Sequence, residues 1–301
     1  MGIDHTKIKS KISKNDRHKI IDSYATGESV LKLSKSFPYS YDVIHYFLTR
    51  CGVKIRSNKV TARKYFYDEN FFEEIDTEEK AYWLGFLFAD GYISKDEYTY
   101  KFGCALADKD KNHLNKLVTS LKSNTPVHNY KASKSSFKEG AGYSRVIFVG
   151  DKICKDLMRY GCTEHKSRTL KFPMDHIPKV LIRDFIRGYI DGDGSITKTF
   201  VKSRNCFVYT VKIVGTYEFL KGIHHEFKET LSAKFNPRKR DESHINTYSQ
   251  EYGGELQVEW ILNYLYKDAN IFLDRKYNIF KEFVEYHNIV RKGYRRKLNR
   301  Y

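Results

Sequence analysis

The chain has 301 residues, with 54 Lys+Arg against 37 Asp+Glu and a formal net charge of +17. That field favours a polyanionic partner, and aromatic residues at 15% supply enough apolar mass for folded cores, which excludes wholesale disorder. No stretch reads as a membrane span or secretory signal, and the 5 cysteines form no Cys-x-x-Cys pair, so an intracellular chain, cytoplasmic or organellar, with reduced thiols is expected.

The first elements in chain order are three short helices, over Asn15–Tyr24, Ser29–Ser36 and Ser40–Cys51. Tyr24-Ala25-Thr26-Gly27-Glu28-Ser29 makes the first bend and Phe37-Pro38-Tyr39 the second. The arrangement resembles a helix-turn-helix, in which the third helix enters the DNA major groove. Tyr41, His45 and Arg50 are then the candidate contacts. Residues 1–58 read as this module, and Lys54, Arg56, Lys59, Arg63 and Lys64 as a basic linker around its end.

Next comes an apolar segment, Tyr82-Trp83-Leu84-Gly85-Phe86-Leu87-Phe88-Ala89-Asp90-Gly91. About a hundred residues later it recurs as Phe185-Ile186-Arg187-Gly188-Tyr189-Ile190-Asp191-Gly192-Asp193-Gly194, which implies two related units. Both copies carry small residues four apart, Gly85/Ala89 and Gly188/Gly192, so two helices could cross closely there. Each ends in Asp-Gly, the glycine suiting a left-handed helix end. Carboxylates at helix C-termini face the negative pole of the macrodipole, so Asp90 and Asp193 are poorly placed unless a cation joins them. Two carboxylates with terminal carbonyls make a hard-oxygen site suited to Mg²⁺. Asp191 has no counterpart in the first copy and is an accessory candidate. The run from Asp191 is not a calcium loop, since Ile196 and Lys202 stand where that loop needs Gly and Glu.

After each segment the pattern alternates. Tyr98, Tyr100, Phe102, Cys104 and Leu106 face one way in the first unit, and Phe207, Tyr209, Val211 and Ile213 in the second. Helical patterns follow at Lys111–Lys122 and Tyr217–Leu231. Further strands are expected at Pro126–Lys131, Ser144–Val149, Lys234–Arg240 and Glu251–Val258, and a helix closes each unit. The fold class is α+β: two pseudo-symmetric αββαββα-like units over 59–172 and 173–290, plus the small all-α module and a basic tail at 291–301.

The paired segments resemble the motifs of the LAGLIDADG homing endonucleases in their single-chain form, and the likeness runs from about Thr77 to Val290. The first copy departs from the family pattern at Phe88 but keeps Asp90. The resemblance implies curved antiparallel sheets over the DNA major groove, with paired motif helices meeting at Gly85 and Gly188. It implies two or more divalent ions, Mg²⁺ with Mn²⁺ as an alternative, held by Asp90 and Asp193 with the carbonyls of Ala89 and Gly192. Lys166 and Lys276 match a basic residue expected near each scissile phosphate. Outward sheet residues Lys95, Lys101, Lys198, Lys202, Arg204, Lys212, Arg238 and Arg240 would touch double-stranded DNA, and Gly-rich 138–142 would be a hairpin tip. The implied activity is a metal-dependent double-strand break with short 3′ overhangs, made by a monomer without an obligate protein partner. An intron RNA-splicing maturase, or a DNA-binding regulator without cleavage, are the alternatives on the same fold.

Overall fold

Serines start the N-terminal helices. Ser13 accepts from Asp16 N at 3.3 Å and Ser29 from Lys32 N at 3.1 Å, each satisfying a backbone donor that the first turn leaves open. The computed structural model describes residues 11–56, 64–131, 142–228, 233–239 and 246–298. These fall into two compact units, one running to Asp68 and taking in Lys122–Thr125, the other holding the rest.

In the smaller unit, α1 is Lys14–Ala25, α2 Val30–Ser36 and α3 Tyr41–Arg50. Ile20, Tyr24, Val30, Leu33, Ile44, Phe47 and Leu48 make its core. Gly27 turns the chain between α1 and α2 at φ +112°, where a Cβ would also meet Phe66 at 2.7 Å. Arg56 is not a loose linker residue. It donates to Tyr24 O at 2.8 Å and to Glu28 O, and lies over the Tyr24 ring.

The larger unit repeats one plan. In its first half, α4 (Glu78–Asp90) runs into β1 (Gly91–Lys95) and β2 (Tyr100–Ala107), followed by α5 (Lys111–Ser120), β3 (His128–Lys131), β4 (Gly142–Val149) and α6 (Asp151–Tyr160). The second half has α7 (Ile182–Asp193), β5 (Gly194–Val201), β6 (Cys206–Gly215), α8 (Tyr217–Lys228), β7 (Arg238–Lys239), β8 (Tyr248–Tyr252) and α9 (Glu255–Tyr266). It then adds a long helix, α10 (Asp274–Leu298). Each half forms a four-stranded antiparallel sheet, in the orders β1-β2-β4-β3 and β5-β6-β8-β7. The architecture is α+β, as the alternating patterns imply.

The structure redraws several local expectations. Tyr98 precedes β2 and is 80% exposed, because the β1–β2 turn occupies it; Phe102 and Cys104 carry the buried face instead. The strand expected at Glu251–Val258 sits earlier, and Glu255–Val258 already belongs to α9. Residues set apart as a tail continue α10 as far as Leu298. Nor are the motif glycines left-handed. Gly91 and Gly194 are extended, with φ −78° and −88°, and the next strand begins at once. Glycine is needed there for another reason: a Cβ would lie 2.6 Å from Leu87 O or Ile190 O, inside contact distance.

Candidate active site at the ends of the paired helices

Helix α4 is apolar nearly all round, with Ala81–Phe88 buried, as expected of a helix enclosed by its neighbours. It packs against α7 at backbone distance. A Cβ on Gly85 would sit 1.9 Å from Phe185 O, and one on Gly188 would sit 2.0 Å from Tyr82 O. Further along, a Cβ on Gly192 would meet Ala89 Cβ at 2.3 Å and Asp90 Oδ2 at 3.3 Å. The stripe of small residues thus draws the two C-terminal ends together, and the Asp90 carboxylate lies beside the end of α7. Near the other end, buried Arg187 ties the pair by ion pairs to Asp184 and to Glu78 of α4, both at 2.7 Å.

The two acids are not equivalent. Asp90 is partly buried, whereas Asp193 is exposed. Burial, and secondarily the Asp193 charge, push the Asp90 carboxyl up to about 6, against the opposing pull of Lys276, Lys166 and Arg275. Such a site favours an added cation, because a divalent ion would relieve both the repulsion and the desolvation. The donor set fits: hard carboxylate oxygens and C-terminal carbonyls suit Mg²⁺. Among the described residues no cluster of three or more His, Cys, Asp or Glu is arranged for a metal, so this pair would need further oxygens from outside the chain.

Both candidate lysines lie beneath the helix ends. Lys166, on a 3-10 turn over Lys166–Arg168, donates to Ala89 O at 3.3 Å and Gly91 O at 2.5 Å. Lys276, in the first turn of α10, donates to Ile190 O, to Asp191 O at 2.8 Å and to Gly194 O at 2.6 Å. Each ammonium offsets the negative end of a motif helix. Burial lowers Lys276 to about 8, with the Asp191 charge opposing.

Asp191, the accessory candidate, is a buried tie between separate parts of the chain. It accepts from Tyr82 Oη at 2.8 Å, Tyr266 Oη at 2.6 Å and Leu273 N at 2.7 Å. A carboxylate this enclosed needs such donors, and they come from three separate elements, so sequence patterns gave no sign of them.

Strand register sorts the candidate DNA contacts by face. Lys198 pairs with Tyr209 and stands two residues from buried Ile196, so it shares the face covered by α10; there it forms an ion pair with Glu282 at 2.8 Å. Lys95, opposite Tyr100 and two residues past Ile93, is on the corresponding face of the first sheet. The expected outward placement of these two lysines is corrected, because side-chain direction alternates along a strand. Lys101, Lys212 and Arg238 lie on the opposite, helix-free faces, and Lys202 and Arg204 on the β5–β6 turn. Arg145, which no sequence motif marked, shares the open face of the first sheet and lies 4.6 Å from the Tyr130 ring, itself stacked on Tyr143. The alternation Tyr143, Arg145, Ile147 against Ser144, Val146, Phe148 was the available signal. Tyr41 and His45 stack at 5.8 Å on α3, and Arg50 lies 6.0 Å from the exposed Tyr46 ring. Arg240 and residues 138–141 lie outside the described residues. No described helix is long and apolar enough to cross a membrane.

No protein-family model matches the chain, and no curated protein matches it. Among solved structures it is similar to the LAGLIDADG homing endonuclease I-GzeII in complex with its DNA target, at 11% identity and a TM-score of 0.47, covering 71% of this chain and 91% of that one. The LAGLIDADG homing endonuclease I-SmaMI bound to cleaved DNA matches at 13% identity and 0.47, covering 71% and 90%. The LAGLIDADG meganuclease I-AabMI bound to uncleaved DNA matches at 12% and 0.45, covering 70% and 91%.

Proposed function

We propose that this chain is a site-specific DNA endonuclease of the LAGLIDADG type, cutting both strands by metal-dependent phosphodiester hydrolysis and leaving short 3′ overhangs. The observation that carries this is the meeting of Asp90 with the end of α7 at a glycine-lined crossing, above two buried lysines. Asp90 and Asp193, with the carbonyls of Ala89 and Gly192, would hold the divalent ions. When bound, Mg²⁺ supplies Lewis-acid polarisation of the phosphate and a stronger water nucleophile. The chain's own residues do the rest. The glycine crossing sets the separation of the carboxylates, and the lysines hold the helix ends that carry them. One chain supplies both halves, so a monomer suffices.

The open sheet faces would read the duplex. Arg145 and Arg238 are suited to guanine, where a bidentate contact is worth about 1–3 kcal/mol of discrimination. Lys101, Lys212, Lys202 and Arg204 would neutralise phosphates. The test is selection of cleaved sites from a library of random-sequence duplexes with Mg²⁺. Wild-type protein should enrich one long site, and Asp90→Asn/Asp193→Asn protein none. A wild-type chain that enriches nothing, or a double variant that cuts equally well, would refute the assignment.

The small unit would extend the footprint. Tyr41 and His45 stack on one flank of α3 and Arg50 ends the helix, and we assign this helix to the major groove. Replacing all three with Ala should leave the cleavage rate at saturating protein unchanged while weakening DNA binding. The slope of log K against log salt should become shallower by about 0.9 for every phosphate that the variant no longer neutralises. Footprinting should show protection shortened at one end, and an unchanged footprint and slope would leave α3 without a DNA role.

A further inference from the structure

The two halves repeat each other in fold but not in how the motif helix ends are held. In the second half the carboxylate of Asp191 accepts from Leu273 N, immediately before α10 begins, where a negative charge favours the helix. The first turn of that helix carries Lys276, whose ammonium returns to the carbonyls of Ile190, Asp191 and Gly194. A lysine ammonium has three N–H donors, so all of them are spent on backbone. Lys276 is 1% exposed and has nothing left to offer a phosphate. The loop closes on itself: Asp191 starts the helix, the helix aims Lys276, and Lys276 holds the turn that bears Asp193. Tyr82 and Tyr266 brace Asp191 from α4 and α9.

Among the described residues the first half has no such loop. Its residue at the Asp191 position is Phe88, whose ring packs against Phe185 at 5.1 Å. Lys166 bonds to only two carbonyls among the described residues, which leaves one N–H for another acceptor.

We infer that Asp191 and Lys276 are positioning residues that latch Asp193 in place, and that the latch serves only one of the two half-sites. The inference rests on the endonuclease reading, but its first test does not. Metal-free, full-length protein is acetylated with an amine reagent and each lysine is followed by mass spectrometry. In wild type Lys276 should be protected. In Asp191→Asn, which leaves donors of Tyr82, Tyr266 and Leu273 without a carboxylate, Lys276 should react about tenfold faster while Lys166 keeps its rate. An unchanged Lys276 rate overturns the latch, whether or not the protein cuts DNA.

The second readout is strand-resolved cleavage of a duplex labelled on both strands. Asp191→Asn should slow one strand at least about tenfold more than the other, so that nicked DNA accumulates, since a misplacement of about 1 Å can cost a hundredfold in rate. General destabilisation would slow both strands equally, and that result overturns the proposal. Tyr266→Phe removes one donor without touching the carboxylate and should give the same strand bias in weaker form. It keeps the test decisive should Asp191→Asn fail to fold; Tyr266→Phe protein without strand bias also counts against the latch.

Discussion

Asp193→Asn protein is expected to bind its DNA site with wild-type affinity and to lose cleavage by about a thousandfold or more, or about 4 kcal/mol of transition-state stabilisation. The amide keeps the shape of the carboxylate but not the charge that would hold a cation. Asp90→Asn should do the same to cleavage while acting in the opposite direction on stability. In the metal-free protein Asp90 titrates near about 6, raised by burial and by the Asp193 charge. A carboxyl whose folded pKa lies above its unfolded value stabilises the fold through its protonated form. That contribution is present below about pH 4 and is lost as pH rises through 6. At neutral pH the ionised group is therefore a cost, and removing it should raise unfolding stability by about 1–2 kcal/mol. Urea melts in a chelating buffer from pH 4 to 7.5 should show wild type weakening across that window and Asp90→Asn holding level. Loss of stability in Asp90→Asn at pH 7.5, or residual linearisation of DNA by either variant in Mg²⁺, would remove that acid from its assigned place.

Gly188→Ala is expected to destabilise the protein, against the usual sign for such a change. Within a helix, Ala is normally better than Gly by about 0.8–1.0 kcal/mol. Here the new Cβ would fall 2.0 Å from Tyr82 O and 2.9 Å from Phe86 N, both backbone atoms of the facing helix that cannot rotate away. The helices must separate, and overpacking of this kind costs typically about 1–3 kcal/mol. Cleavage should suffer more than stability, because the same displacement moves the two acids apart, and about 1 Å is worth roughly a hundredfold in rate. Leu84→Ile, a volume-conserving change at a fully buried position of α4, should cost less than about 1.5 kcal/mol and little activity. Melting temperatures and single-turnover rates of the two variants decide the matter. A Gly188→Ala protein as stable and active as wild type would mean that the crossing is not as close as described.

Much of the architecture was legible in the chain because it rests on local chemistry. The bends at Tyr24–Ser29 and Phe37–Tyr39 marked the N-terminal helices to within a residue of their ends. The two Asp-Gly segments marked a pair of helix ends, and glycine four residues from a small side chain marked where they could cross. The alternating patterns placed β2 and β6, although the two-residue β7 was overdrawn.

What the sequence could not determine depends on partners distant along the chain. Alternation shows that a strand has two faces but not which of them a helix covers, so Lys198 and Lys95 were assigned to the wrong side until the register was known. The family resemblance gave Lys166 and Lys276 one shared role. Only the packing of α10 shows that Lys276 has given every donor to backbone carbonyls, while Lys166 bonds to two among the described residues. Asp191 looked like a spare acid because its donors, Tyr82, Tyr266 and Leu273, come from elements that meet only in the folded core. Local sequence sets periodicity, caps and turns through short-range sterics and hydrogen bonding. Which charge is enclosed, and by what, is decided by long-range packing, and the asymmetry of the two acids follows from that alone.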